Sequence, residues 1–86
     1  MLKTETIEIE GQKFKLKELD MDSSLKLTKI EDKEQSARKL LEISVIEPKI
    51  TEEFLKELPA RIGTKLIGKI NELNGFGEDF QKVPEV

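Results

Sequence analysis

The sequence predicts an α+β fold, mostly α, in which an N-terminal two-stranded antiparallel hairpin is followed by three to four packed helices. Three observations predict it. Residues 6–17 alternate polar and apolar side chains on either side of a glycine. Beyond residue 34 the apolar residues recur at three- and four-residue spacing. Pro48, Thr51, Pro59 and the Asn74-Gly75 pair divide that second part into helical lengths. With 86 residues the chain is expected to form one small domain, 1–86, with the hairpin at 6–17, a helical part at 23–75 and an irregular tail at 76–86.

The hairpin is the clearest element. Thr6-Ile7-Glu8-Ile9-Glu10 and Lys13-Phe14-Lys15-Leu16-Lys17 flank Gly11-Gln12, and a glycine at the first turn position suits a type II′ turn. That turn would set Glu10 opposite Lys13, Ile9 opposite Phe14, Glu8 opposite Lys15 and Ile7 opposite Leu16. Apolar then meets apolar and every Glu meets a Lys. Two strands are not stable alone in water. The face bearing Ile7, Ile9, Phe14 and Leu16 is therefore expected to lie on the helices. Its free edges would admit an added strand or a homo-oligomer.

The helices follow in order. Asp20, Asp22, Ser23 and Ser24 are helix-start residues, and a short helix is expected from about Ser23 to Ile30. Glu34 to Ile46 reads as a second helix. Ala37, Leu40, Leu41, Ser44 and Val45 gather on one side of it, Ile43 widens the arc, and Ile46 falls nearly opposite. Glu47-Pro48 ends it. Thr51 caps a third helix running through Phe54 and Leu55 to Leu58, with Glu52 and Glu53 in the first turn, where the helix dipole favours negative charge. Pro59 separates it from the fourth, Ala60 to Asn74, whose stripe is Ile62, Leu66, Ile70 and Leu73, flanked by Ile67. Gly63 lies within the apolar arc of that helix; Gly68, on the far side, has no evident packing role. Asn74-Gly75 is a strong helix stop.

Composition narrows the chemistry. The chain has no cysteine, histidine, tryptophan or tyrosine. No disulfide or thiolate nucleophile is available, and the usual ligands of zinc, iron and copper are missing. Only carboxylate-bound magnesium or calcium would remain, and no cofactor is expected. P-loop, dinucleotide-binding and nucleophile-elbow motifs are absent from the sequence. The acidic pairs Glu31-Asp32 and Glu52-Glu53 read as a loop and a first helical turn, and Ser36 with Lys33 or Lys39 lacks the burial that catalysis requires. An enzyme is not expected. Met1 to Glu10 carries charges throughout and contains no apolar run. That argues against a secretory signal or membrane span and for a cytoplasmic protein. The net charge of −3 gives no bulk attraction to nucleic acid or an anionic membrane.

Two surfaces are candidates for function. Arg61, Lys65 and Lys69 recur every four residues on the polar face of the last helix. With the preceding short helix and Pro59 they sketch a helix-turn-helix, which makes a small DNA-binding regulator the alternative reading. The other candidate is surplus apolar surface for a protein partner: Ile46, Ile67, Phe76 and Phe80.

The order of features points the same way. The hairpin from Ile7 to Leu16, the helix with Leu40-Leu41, the stretch Pro48-Lys49-Ile50-Thr51-Glu52-Glu53-Phe54 leading to Leu58-Pro59-Ala60, and the closing Leu66-Ile67-Gly68-Lys69-Ile70-Asn71-Glu72-Leu73-Asn74-Gly75-Phe76 together resemble the tail assembly chaperones of long-tailed bacteriophages and proviruses. Asn74 stands where that family commonly has serine, and the chain is shorter than many members. The resemblance implies a non-enzymatic protein of the host cytoplasm that binds the tape-measure protein, or tail-tube subunits, and keeps them soluble before the tube polymerises.

Overall fold

A computed structural model describes residues 2–75. The chain runs β1 (Thr4–Ile9), β2 (Gln12–Lys17), α1 (Met21–Thr28), α2 (Lys33–Ser44), β3 (Val45–Glu47), α3 (Glu52–Glu57) and α4 (Ala60–Leu73). The α+β class is as expected, but the sheet has three strands, in the order β1-β2-β3, all antiparallel. The predicted tail at 76–86 lies outside the described residues.

Two expectations about the sheet are corrected. The turn residues are Glu10 and Gly11, with φ of 50° and 84°, the positive pair that marks a type I′ turn. Pairing therefore shifts: Ile9 faces Gln12, Glu8 faces Lys13, Ile7 faces Phe14, Thr6 faces Lys15 and Glu5 faces Leu16, and the ladder reaches back to Thr4 and Lys17. The faces survive the shift because both registers pair residues of opposite parity. Ile7, Ile9, Phe14 and Leu16 still share the inner side. The I′ turn follows the right-handed strand twist, and it does so by holding a glutamate in a left-handed conformation that costs a non-glycine residue about 1–2 kcal/mol.

The second correction concerns Val45 and Ile46. They were expected in the last turn of the second helix, but α2 stops at Ser44 and they form β3. Both residues are β-branched and suit a strand. β3 fills the open side of β2, pairing Val45 with Leu16 and Glu47 with Lys15, with a bulge between. The Glu47–Pro48 peptide that follows is cis.

The helix starts are set by side-chain caps. Asp20 accepts from the Ser23 amide at 3.0 Å and from its hydroxyl at 2.7 Å, so α1 begins two residues before its expected start. Asp32 caps α2 through the Glu34 amide at 2.8 Å, and Thr51 caps α3 through the Phe54 amide at 3.1 Å. At the far end of α4, Gly75 has φ of 81° and its N–H bonds the Glu72 carbonyl at 3.0 Å.

One buried cluster joins these parts. Ile9, Phe14 and Leu16 come from the hairpin, Leu41 and Val45 from α2 and β3, Ile50 from the loop before α3, and Ile62, Leu66 and Ile70 from α4. Phe14, Leu16, Leu66 and Ile70 are almost wholly excluded from solvent. Ile7, Leu40, Phe54, Leu55, Leu58, Ile67 and Leu73 pack against its margin. Gly63 lies against Leu58, but a Cβ there would stand 3.6 Å from Leu58 Cδ2, an ordinary van der Waals distance, so the contact does not require glycine.

Two polar side chains bear on this core in opposite senses. Asn74 accepts from the Leu19 amide at 2.7 Å and donates to the Ile70 carbonyl at 2.8 Å, tying the end of α4 to the strand–helix link. Ser44 is fully buried, and its hydroxyl has no hydrogen-bond partner among the described residues. Burying an unpaired hydroxyl costs about 1–3 kcal/mol. Ser44→Ala is therefore expected to raise unfolding stability by about 1 kcal/mol, and Asn74→Ala to lower it by about 1 kcal/mol, in urea denaturation with an unchanged m-value.

Candidate functional site

The basic row on α4 meets the tip of the hairpin. Because the turn is centred on Glu10 and Gly11, the Glu10 carboxylate reaches the first turn of α4. Arg61 Nε donates to both its oxygens, at 3.0 and 2.9 Å, and a second guanidinium nitrogen lies 2.9 Å from Oε1. Lys65 Nζ lies 3.7 Å from the other oxygen. Lys69 is 3.8 Å from Glu72. Each of the three cations thus has a carboxylate within ion-pair distance. The hydrogen bond from Arg61 is the main reason that the Glu10 carboxyl is held below its ordinary value of 4.5, and the same bond raises Arg61. A phosphate approaching Arg61 and Lys65 would meet Glu10 first.

The apolar candidates separate. Ile46 sits on β3 and stays 40% exposed. Ile67 is half-buried and packs against the core margin. Phe76 and Phe80 lie outside the described residues.

Other exposed apolar residues form a surface that the sequence did not suggest. Helix α1 turns Ser23, Ser24 and Leu27 towards the body and leaves Met21 71% and Leu25 51% exposed. Leu2, also exposed, lines a cleft with Leu19, Met21 and Asn74. A second cleft, between α1, α2 and α4, is lined by Leu19, Leu27, Leu40 and Asn71, with Ser24, Thr28 and Ser36 at its polar side. The pair Met21 and Leu25 has the four-residue spacing of one helix face. It is visible only once the helix is known to start at Met21 rather than Ser23.

The remaining polar residues have structural roles. Asp32 is a cap, and Glu52 and Glu53 occupy the first turn of α3, all at the surface. Asp20 is held below its ordinary value of 3.8, first by the Ser23 hydroxyl and then by the Ser23 amide, as expected for a cap. Among the described residues there is no group of three or more carboxylates placed to hold a metal ion. Among them, too, no helix is long and apolar enough to cross a membrane.

No family model, curated protein or solved structure matches the chain.

The Glu10 pair has a pH signature. Its folded carboxyl is more acidic than the unfolded one. Above 4.5 both states are ionised and the contribution is fully present; as pH falls through the depressed folded value, the contribution is lost. The difference in unfolding stability between the parent chain and Glu10→Gln is expected to be flat from neutral pH down to about 4.5 and to shrink below it, as followed by urea denaturation at stepped pH.

Proposed function

We propose that the chain is a non-enzymatic protein-binding module acting as a tail assembly chaperone, one that keeps tape-measure or tail-tube protein soluble before assembly. The observation that carries the binding reading is α1, a helix with no buried residue that presents Met21 and Leu25 to water beside the Leu19, Leu27 and Leu40 cleft. Exposed apolar side chains next to an apolar cleft suit the apolar stripe of a partner helix. The order of sequence motifs supports the narrower, tail-protein reading. Ile46 is a further exposed apolar residue, on β3, whereas Ile67 packs against the core margin.

The DNA-regulator reading is the weaker one, because Arg61 and Lys65 are engaged by Glu10 and Lys69 lies beside Glu72. Groove binding by that face would require those pairs to be broken.

Co-expression with a tape-measure protein tests the proposal. The parent chain is expected to keep that protein in the soluble fraction and co-elute with it. The double variant Met21→Glu, Leu25→Glu should retain the parent circular dichroism and melting temperature yet lose co-elution, with affinity falling at least roughly a hundredfold, as for truncation of interface anchors. Unchanged co-elution by the folded variant would remove α1 from the site. Salt-sensitive duplex DNA binding by the parent chain, abolished by Lys65→Glu, would replace the proposal with the regulator reading.

A further inference from the structure

Among the described residues, strand β1 has a neighbour on one side only. The register determines how its backbone groups are used. A two-residue turn makes Ile9 and Gln12 the closing hydrogen-bonded pair, so alternation directs Glu5, Ile7 and Ile9 towards β2. Thr4, Thr6 and Glu8 then present N–H and C=O to the open side. The bond from the Glu18 amide to the Lys3 carbonyl, 2.8 Å, continues the same alternation.

Helix α4 runs beside this open edge. Two clefts of about 430 and 500 Å³ adjoin it and share Glu72 as a wall. One is lined by Glu8, Ile9 and Gly68, the other by Thr4, Glu5 and Leu73. A Cβ added at Gly68 would meet none of the described residues within 4 Å. The glycine without a packing role therefore faces a gap rather than a neighbour, and it leaves that gap wider than any other residue would.

Charge decides what fits. β1 carries Glu5 and Glu8 and no base, while β2 on its other flank carries Lys13, Lys15 and Lys17 and no acid. The hairpin is already an acidic strand zipped to a basic one. In the clefts, Lys65 is engaged by Glu10 and Lys69 by Glu72, and Lys3 stands at the far end. Neither Glu5 nor Glu8 has an ion-pair partner among the described residues. A second copy of β1, laid antiparallel about Thr6, would set Glu8 opposite Thr4 and Glu5 opposite Ile7, and so would bring no cation to either carboxylate.

We infer that the open edge of β1 receives an extended segment of a partner polypeptide with alternating lysine or arginine, added as a fourth strand. Its backbone bonds Thr4, Thr6 and Glu8. Its basic side chains lie on the outer face beside Glu8, and its inward side chains lie over Gly68. The inference rests on the protein-binding reading but not on the partner being a tail protein.

The test is a titration of the isotope-labelled full chain with the peptide acetyl-Lys-Val-Lys-Val-Lys-Val-amide, read by amide hydrogen exchange. The Thr6 and Glu8 amides are expected to slow by about tenfold or more, while Ile7 and Ile9, already bonded, change little. The same peptide with Glu in place of Lys is expected to bind roughly tenfold more weakly. Thr6→Pro removes an outward N–H without touching the ladder and is expected to abolish binding. If that variant does not fold, a peptide N-methylated at alternate residues takes its place and must fail to bind. Unslowed Thr6 and Glu8 amides at millimolar peptide, equal binding of the Lys and Glu peptides, or binding by folded Thr6→Pro would each overturn the inference. The Met21→Glu, Leu25→Glu chain is expected to bind the peptide as the parent does, so a failed tail-protein capture and a failed strand docking are read separately.

Discussion

The fold depends on covering one face of a ribbon that cannot stand alone. Phe14 and Leu16 on β2 are among the least exposed side chains, and so are Leu66 and Ile70 on α4. An isolated hairpin leaves such a face in water and is marginal at best. Laying it on a helix removes apolar area from both partners at about 25 cal/mol per Å². The other elements extend that contact. Helix α2 supplies Leu41, β3 supplies Val45, and the loop ahead of α3 supplies Ile50. Helix α1 adds no buried residue, and for that reason its surface can be spent on something other than stability.

The tip of the ribbon is fixed separately. Glu10 occupies a backbone region that disfavours any residue bearing a Cβ, yet its carboxylate holds Arg61, which is 51 residues away in sequence. One local disadvantage is thus coupled to one long-range contact. The pair brings the start of α4 to the end of β1. It also explains why a row of cations that looks suited to phosphate is occupied within the chain itself.

Much of this was legible in the sequence, and the failures have physical reasons. The inner face of the hairpin could be read because a period of two fixes parity whichever two-residue turn is used. The register could not, because Gly11 suits the first position of one two-residue turn and the second position of the other, and both keep the same inner face. The stripe Ile62, Leu66 and Ile70 could be read because a regular helix repeats its burial. Strand β3 could not, because Val45 and Ile46 also fit the helical period of α2, and only the vacant side of β2 decides between the two. The candidate site was least legible. Ile46 is exposed as expected, but Met21 and Leu25 were hidden by a cap at Asp20 that lengthens α1 at its start.

The bulge and three-residue length of β3 have a further consequence. They blunt one border of the sheet and leave the other long and regular. A sheet with two usable borders can grow without limit, copy upon copy, into a fibre. Among the described residues the sheet offers one such border, so growth through it would end after a single addition. A chain that handles aggregation-prone clients would gain from a scaffold that cannot itself polymerise.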